Sequence, residues 1–124
     1  DFAIEETKNN DGLNLNLALA YSSRYELTNA IINISKDILD NTMSINDINE
    51  ETVSDYLLTK DVPDPELLIR TGGSDRLSNF LLWQSAYTEI HFSDKYWPDF
   101  NEQDLNKALL DYQSRDRKFG RIKN

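Results

Sequence analysis

The residues best suited to chemistry form a loop between a short apolar run and a segment with helical spacing. Arg70 and Arg76 flank two adjacent glycines, Gly72 and Gly73, and Ser78 adds a hydroxyl group shortly afterwards. Two adjacent glycines permit positive φ angles and a close approach of the backbone to a ligand. Guanidinium groups bind phosphate oxygens in a bidentate manner. The pattern therefore indicates a phosphate or diphosphate site, although a Gly-Gly turn with surface arginines is an equally simple interpretation.

A second candidate is Glu89, which lies within the otherwise apolar run Tyr87–Phe92. On a strand, Glu89 would share one face with Tyr87 and His91. A buried carboxylate is costly unless it is paired or bound to a metal. Glu89 is therefore either a residue on a solvated face or a candidate ligand. We interpret His91, the only histidine, as a half-buried strand residue and not as a catalytic base.

Hydrophobic spacing and turn residues predict the elements that must position these side chains. In chain order, the predicted elements are a strand at Leu13–Ala20, a helix from about Arg24 to Leu39, a short helix with Val53, Tyr56 and Leu57 on one face, a strand at Glu66–Arg70, a short helix at Leu77–Gln84, a strand at Tyr87–Phe92 and a last helix after Asn101. Residues 1–12 are expected to be an entry segment that ends in a turn.

Two of these helices carry start signals. Ser23 and Glu26 have the spacing of a capping box, in which the serine hydroxyl and the glutamate carboxylate each satisfy a backbone N–H group. Asn101 is a typical N-cap residue for the last helix. The inner face of that helix is predicted to consist of Leu105, Ala108, Leu109 and Tyr112.

The predicted order is β-α-α-β-α-β-α. Strands that alternate with helices indicate an α/β fold, here a parallel sheet with helices on both faces. In such sheets ligands bind at the carboxyl ends of the strands, which is where the loop after Arg70 would lie. Three strands make a thin parallel sheet. Residues 1–124 are therefore predicted to be the C-terminal half of a larger single domain.

The composition excludes several classes of protein. The chain has 13 basic and 22 acidic residues and a net charge of −9, which argues against nucleic acid or an anionic membrane surface as a partner. It has no cysteine, so disulfides and thiolate metal sites are excluded. No apolar run approaches the roughly 18 residues that a membrane span needs.

Three motifs follow one another in a specific order. They are Arg70-Thr-Gly-Gly-x-x-Arg76-x-Ser78-Asn79-Phe80-Leu81-Leu82-Trp83-Gln84, then Ala86-Tyr87-x-Glu89, and then Trp97-Pro98-Asp99-Phe100. In this order the motifs resemble those of the cis-prenyltransferases, and most of all those of the undecaprenyl diphosphate synthases, also called isoprenyl transferases. The resemblance extends from about Leu13 to Gly120.

The resemblance implies a cytoplasmic transferase that condenses isopentenyl diphosphate with an allylic prenyl diphosphate into a cis-polyprenyl diphosphate, a cell wall lipid carrier. It implies a magnesium cofactor, a homodimer and at most peripheral membrane contact through the lipid product. The residues implied to bind isopentenyl diphosphate are Arg70, Arg76, Leu77 and Ser78. Gly72 and Gly73 would support the diphosphate loop, and Glu89 would be the magnesium-linked glutamate.

The chain also departs from the family pattern. Ala20-Tyr21-Ser22-Ser23-Arg24 stands where the family has Asn-Tyr-Gly-Gly-Arg, so we expect a capped helix start in place of a glycine loop. In the basic tail, which runs from Arg115 to Asn124, Lys118 stands where the family has arginine, and lysine lacks the guanidinium fork. Such a tail is most simply a solvated face. The motif Met-Asp-Gly-Asn-Gly-Arg, which carries the family's catalytic aspartate, does not occur in the 124 residues.

We therefore expect no catalytic residue in this segment and no catalysis by the 124-residue chain alone. The alternative is a non-catalytic partner subunit or a bare diphosphate-binding module. The retained Arg70, Arg76 and Glu89 speak against an inactive partner, because such a chain need not keep them.

Overall fold

The computed structural model describes residues 2–116. Four α-helices lie in this range: α1 (Phe2–Thr7), α2 (Ser23–Leu39), α3 (Glu50–Asp55) and α4 (Glu102–Ser114). Two strands, β1 (Leu67–Arg70) and β2 (Glu89–Phe92), and two short 3₁₀ turns, Ile45–Asp47 and Trp97–Asp99, complete the elements of the described range. The order agrees with the predicted α/β class, and the bounds of α2 and β1 and the start of α4 agree with their predictions to within about a residue.

The two strands form a parallel pair, in which Leu67 lies opposite Glu89 and Arg70 lies opposite Phe92. Helix α4 packs against β2, and α2 packs against α3. The buried apolar side chains of the described range are Ala30, Ile34, Leu57 and Ala108. The parallel arrangement brings the loop after Arg70 and the loop after Phe92 to the same end of the sheet.

The predicted strand at Leu13–Ala20 is wrong for the described range, where residues 13–18 have no regular structure. Leu13 is 93% exposed and Leu19 is 84% exposed. Within residues 2–116, the backbone of residues 11–21 forms no backbone hydrogen bond with another strand. A strand is stabilised by a neighbour, so an alternating pattern alone does not make this segment a strand. The entry segment also differs, because it contains the short helix α1.

The predicted helix at Leu77–Gln84 is wrong as well. The connection between the two parallel strands is a series of turns, and Ser78, Asn79 and Leu81 have φ angles of 51°, 63° and 45°. A right-handed helix cannot contain residues with positive φ. The apolar residues of this segment are therefore distributed over turns and not along one helical face.

Helix α4 confirms its predicted cap, whereas α2 does not. The Asn101 side chain accepts hydrogen bonds from the N–H groups of Gln103 and Asp104, and the Asp104 carboxylate accepts from the Asn101 N–H. In α2 the N-cap is Ser22, and its side chain makes no capping bond. Glu26 is buried instead of reaching back to the helix start, so the predicted capping box is wrong.

The inner face of α4 is confirmed only in part. Ala108 is fully buried, but Leu105 and Leu109 remain about 40% exposed. Trp97 is 75% exposed and stacks on Phe100. Each of these side chains has an apolar surface that the described residues do not cover.

The exposed apolar residues predict how the chain behaves in solution. We expect it to self-associate or to be only marginally folded, since exposed leucines such as Leu13 and Leu19 favour association. Sedimentation velocity and thermal melting followed by circular dichroism measure both properties. A monodisperse monomer with one sharp melting transition would contradict the expectation.

Candidate functional site

The loop after β1 is held by the loop after β2. The Gly72 N–H donates to the Lys95 carbonyl at 2.8 Å, and the Gly73 N–H donates to the Ser93 carbonyl at 3.1 Å. The Ser93 N–H donates to the Arg70 carbonyl at 2.8 Å. The two glycine N–H groups are thus occupied within the protein, and they fix the loop instead of pointing at a ligand.

Both glycines have positive φ angles, 89° at Gly72 and 64° at Gly73, as the Gly-Gly pattern predicted. A Cβ atom at either position would meet no heavy atom closer than 3.8 Å. The requirement for glycine therefore comes from the backbone conformation and not from lack of space.

Arg70 lies at the carboxyl end of β1, half-buried, on the wall of a cavity of about 260 Å³. The other residues that line the cavity are Leu68, Ile69, Thr71, Leu77 and Phe80. The Arg70 Nε atom is buried and has no hydrogen-bond partner. None of the ion pairs within residues 2–116 includes Arg70. In a chain with an excess of acidic residues, such a cation is free to bind an anion.

The structure brings most of the predicted loop residues together. Arg70 and Leu77 share the cavity wall, while Arg76 and Ser78 are exposed on the same loop. Arg76 also takes part in none of the ion pairs of the described range. Two unpaired guanidinium groups and a hydroxyl group on one loop can bind the oxygens of a diphosphate.

Glu89 lies elsewhere, at the amino end of β2 and opposite Leu67. Leu67 precedes Arg70 by three positions in β1, which corresponds to about 10 Å along a strand. Its Oε2 atom accepts a hydrogen bond from Arg115 at 2.8 Å. The carboxylate is thus half-buried and paired, and the ion pair offsets the free energy lost when a charged group is removed from water.

Arg115 connects Glu89 to the end of α4. Its guanidinium group also donates to the Asp111 carboxylate at 2.6 Å and to the Ile90 carbonyl at 3.1 Å. His91 Nδ1 lies 3.0 Å from the same Asp111 carboxylate, and the hydrogen bonds from His91 and Arg115 lower the pKa of Asp111 below its usual range. Arg115 is therefore not on a solvated face, and His91 is the half-buried strand residue that was predicted.

These residues do not form a magnesium site by themselves. Within residues 2–116, no group of three or more histidine, aspartate or glutamate side chains could hold a metal ion. Magnesium in proteins takes one or two carboxylates together with water and substrate phosphates, and one oxygen of Glu89 is already paired with Arg115. The assignment of Glu89 to magnesium stays a prediction. The predictions for Lys118 and for the tail beyond Asp116 concern residues outside the described range.

The site also contains residues that the sequence did not single out as functional. Asn79 connects the turn after Ser78 to the start of α2: its carbonyl accepts from the Ser23 N–H and its Oδ1 accepts from the Arg24 N–H, both at 2.9 Å. Glu26, which is 2% exposed, accepts hydrogen bonds from the Tyr21 hydroxyl and from Gln84 Nε2. The spacing of Glu26 four residues before Ala30 and eight before Ile34 was a usable signal, because it places the carboxylate on the buried stripe.

Comparisons with known proteins show the family of the chain. Residues 1–120 match the sequence model of a prenyltransferase family described as "Putative undecaprenyl diphosphate synthase". The chain belongs to this family. It is 53% identical over 122 residues to an isoprenyl transferase of Clostridium perfringens, which covers 98% of the chain and 48% of that protein. An isoprenyl transferase of Porphyromonas gingivalis is 51% identical over 118 residues, covering 95% of the chain and 46% of that protein.

The backbone of the chain is also similar to those of solved structures. The crystal structure of lavandulyl diphosphate synthase from Lavandula x intermedia, in complex with dimethylallyl diphosphate, matches with a TM-score of 0.93 and 38% identity over 97% of this chain and 52% of that chain. A "probable undecaprenyl diphosphate synthase" from Campylobacter jejuni matches with a TM-score of 0.78 and 33% identity over 97% of this chain and 53% of that chain. The chain thus spans about half the length of the relatives that it matches.

Proposed function

We propose that this chain contributes the isopentenyl diphosphate site of a cis-prenyltransferase, which condenses isopentenyl diphosphate with an allylic prenyl diphosphate. The observation that carries the proposal is Arg70, a half-buried guanidinium without an acidic partner in the described range, on the cavity at the end of β1. Membership of the prenyltransferase family supplies the class of reaction. The homodimer, the magnesium cofactor and the cytoplasmic location remain predictions of the resemblance.

The proposed reaction breaks the allylic C–O bond and releases diphosphate, and the alkene of isopentenyl diphosphate then attacks the resulting cationic carbon. A proton is lost as the new double bond forms. In this scheme Arg70 and Arg76 bind the diphosphate of isopentenyl diphosphate, and the Ser78 hydroxyl donates to one of its oxygens. Their contribution is orientation of the alkene and neutralisation of charge. Leu77 and Phe80, which line the cavity beside Arg70, offer an apolar surface to the hydrocarbon part.

Isothermal titration with isopentenyl diphosphate tests the proposal directly. We expect saturable binding, competition by inorganic diphosphate, and no binding of isopentenol, because the alcohol lacks the group that the guanidinium forks recognise. Binding of isopentenol with equal affinity, or absence of any binding of isopentenyl diphosphate, would refute the assignment.

The chain alone is expected to be inactive as a prenyltransferase, because the catalytic motif implied by the resemblance does not occur in it. Labelled isopentenyl diphosphate, an allylic diphosphate and magnesium ions would be incubated with the chain, with the isoprenyl transferase of Clostridium perfringens as the positive control. Incorporation of label by the chain alone would contradict this expectation and would place a catalytic residue within the 124 residues.

A further inference from the structure

The turn after Leu77 has a strained backbone. Ser78, Asn79 and Leu81 all have positive φ, a conformation that is unfavourable for serine and leucine and persists only where the surroundings fix it. Leu77, immediately before the turn, and Phe80, within it, both line the cavity, and Ser78 lies between them. Whatever fixes the turn therefore also fixes the candidate ligand-binding residues.

Two serine hydroxyl groups at the start of α2 provide such contacts. The Leu82 N–H donates to Ser23 Oγ at 3.0 Å, and Asn79 Nδ2 donates to Ser22 Oγ at 2.7 Å. These bonds join positions 59 and 57 residues apart in the sequence. Ser23 is fully buried, so its hydroxyl has no access to water as an alternative partner.

Further contacts join the same two segments. The Ser23 and Arg24 N–H groups donate to Asn79, which in this way caps α2 from a distant part of the chain. The rings of Tyr21 and Phe80 lie edge to face with centroids 5.5 Å apart. Tyr21 and the first residues of α2 thus contact three residues of the turn, Asn79, Phe80 and Leu82.

We propose that Ser22 and Ser23 are positioning residues for the diphosphate loop. Their hydroxyl groups hold the turn 78–82 in its strained conformation against α2, and this sets the place of Leu77, Ser78 and Phe80 around the cavity. The serines do not touch the ligand and act through the turn. For its effect on binding, the inference rests on the proposed isopentenyl diphosphate site.

The experiment compares Ser22→Ala and Ser23→Ala with the unchanged chain. A hydrogen bond worth about 1 kcal/mol corresponds to about a fivefold change in an equilibrium constant, so each variant should bind isopentenyl diphosphate about three- to tenfold more weakly. In Ser23→Ala the Leu82 amide should exchange with deuterium about five- to tenfold faster, because its acceptor is lost. Ser22→Thr, which keeps a hydroxyl group, should restore binding to within about twofold of the unchanged chain.

Ser35→Ala is the matched control, since Ser35 lies on the same helix and its hydroxyl donates only to the Ile31 carbonyl. It should change neither binding nor Leu82 exchange. Unchanged exchange in Ser23→Ala, or faster exchange with unchanged affinity, would overturn the positioning role. If the unchanged chain binds no isopentenyl diphosphate, the proposed function and the effect on binding fail together, whereas the exchange measurement alone decides whether the serines hold the turn.

Discussion

Replacing Arg70 by alanine is expected to weaken binding of isopentenyl diphosphate about ten- to a hundredfold. The side chain ends a strand and is already half-buried beside the cavity, so it can bind a diphosphate with little loss of conformational freedom. A charge-assisted, bidentate contact contributes about 1.5–3 kcal/mol, which corresponds to that change in affinity. Isothermal titration of the variant and of the unchanged chain measures it.

Two further variants make the test specific. Arg70→Lys keeps the charge but not the planar fork, so it should recover only part of the lost affinity. Lys36→Ala also removes one positive charge, from an exposed residue of α2, and should leave binding within about twofold, since an exposed charge is screened. The affinity for dimethylallyl diphosphate, an allylic diphosphate, should change less than that for isopentenyl diphosphate. Full rescue by lysine, or an equal loss for both ligands, would refute the assignment of Arg70.

Local patterns predicted those elements that local forces determine. Helices α2 and α4 each have a stripe of apolar residues at helical spacing, and α4 begins at the predicted Asn101. Strands β1 and β2 are short apolar runs, and they lie where the sequence placed them, although β2 begins at Glu89 and not at Tyr87. In each case, the residues that specify the helix or strand lie within a segment of about fifteen residues.

The errors occurred where conformation depends on distant residues. The run Leu13–Ala20 alternates as a strand does, but no pattern within it shows whether a partner strand is present. The segment Leu77–Gln84 has enough apolar residues for a helix, whereas three non-glycine residues with positive φ make it a series of turns. Positive φ at serine, asparagine and leucine is uncommon, and it is stabilised here by contacts with α2 that sequence spacing does not show.

The candidate site was predictable only where its residues are close together in the sequence. Arg70 and the two glycines are neighbours in the sequence, so the sequence alone predicts that they share a loop. The contact between Arg115 and Glu89 spans 26 residues, and the bond from Asn79 to the Arg24 N–H spans 55. A motif search identifies side chains that can bind a ligand, but it does not identify those that hold them in place.

Replacing Glu26 by alanine is expected to destabilise the chain by about 3–5 kcal/mol. The carboxylate accepts hydrogen bonds from the Tyr21 hydroxyl, from Gln84 Nε2 at 3.2 Å and from the Leu58 N–H at 2.9 Å. Alanine would leave all three donors without this acceptor. The cost is about 1–3 kcal/mol for the buried Gln84 amide and less for the partly buried donors of Tyr21 and Leu58. Even a well-packed domain of this size is stable by only about 5–15 kcal/mol. This chain is expected to be less stable, so the variant should be largely unfolded at 37 °C. Urea denaturation followed by circular dichroism measures the difference.

Two substitutions serve as controls for the hydrogen bonds of Glu26. Glu26→Gln should lower the free energy of unfolding less than Glu26→Ala does, because the Gln84 amide can rotate its unpartnered Oε1 toward the new donor. Glu6→Ala, on the exposed helix α1, should change that free energy little.

Burial and the hydrogen bond to Glu26 raise the pKa of Tyr21 above its usual value of 10.0. The neutral phenol therefore stabilises the fold fully below pH 10, and this contribution is lost as the pH rises through the folded-state pKa. Tyr21→Phe should abolish that alkaline loss of stability. An alanine variant at position 26 that is as stable as Glu6→Ala would show that the buried carboxylate does not stabilise the contacts of α2 with Leu58 and Gln84.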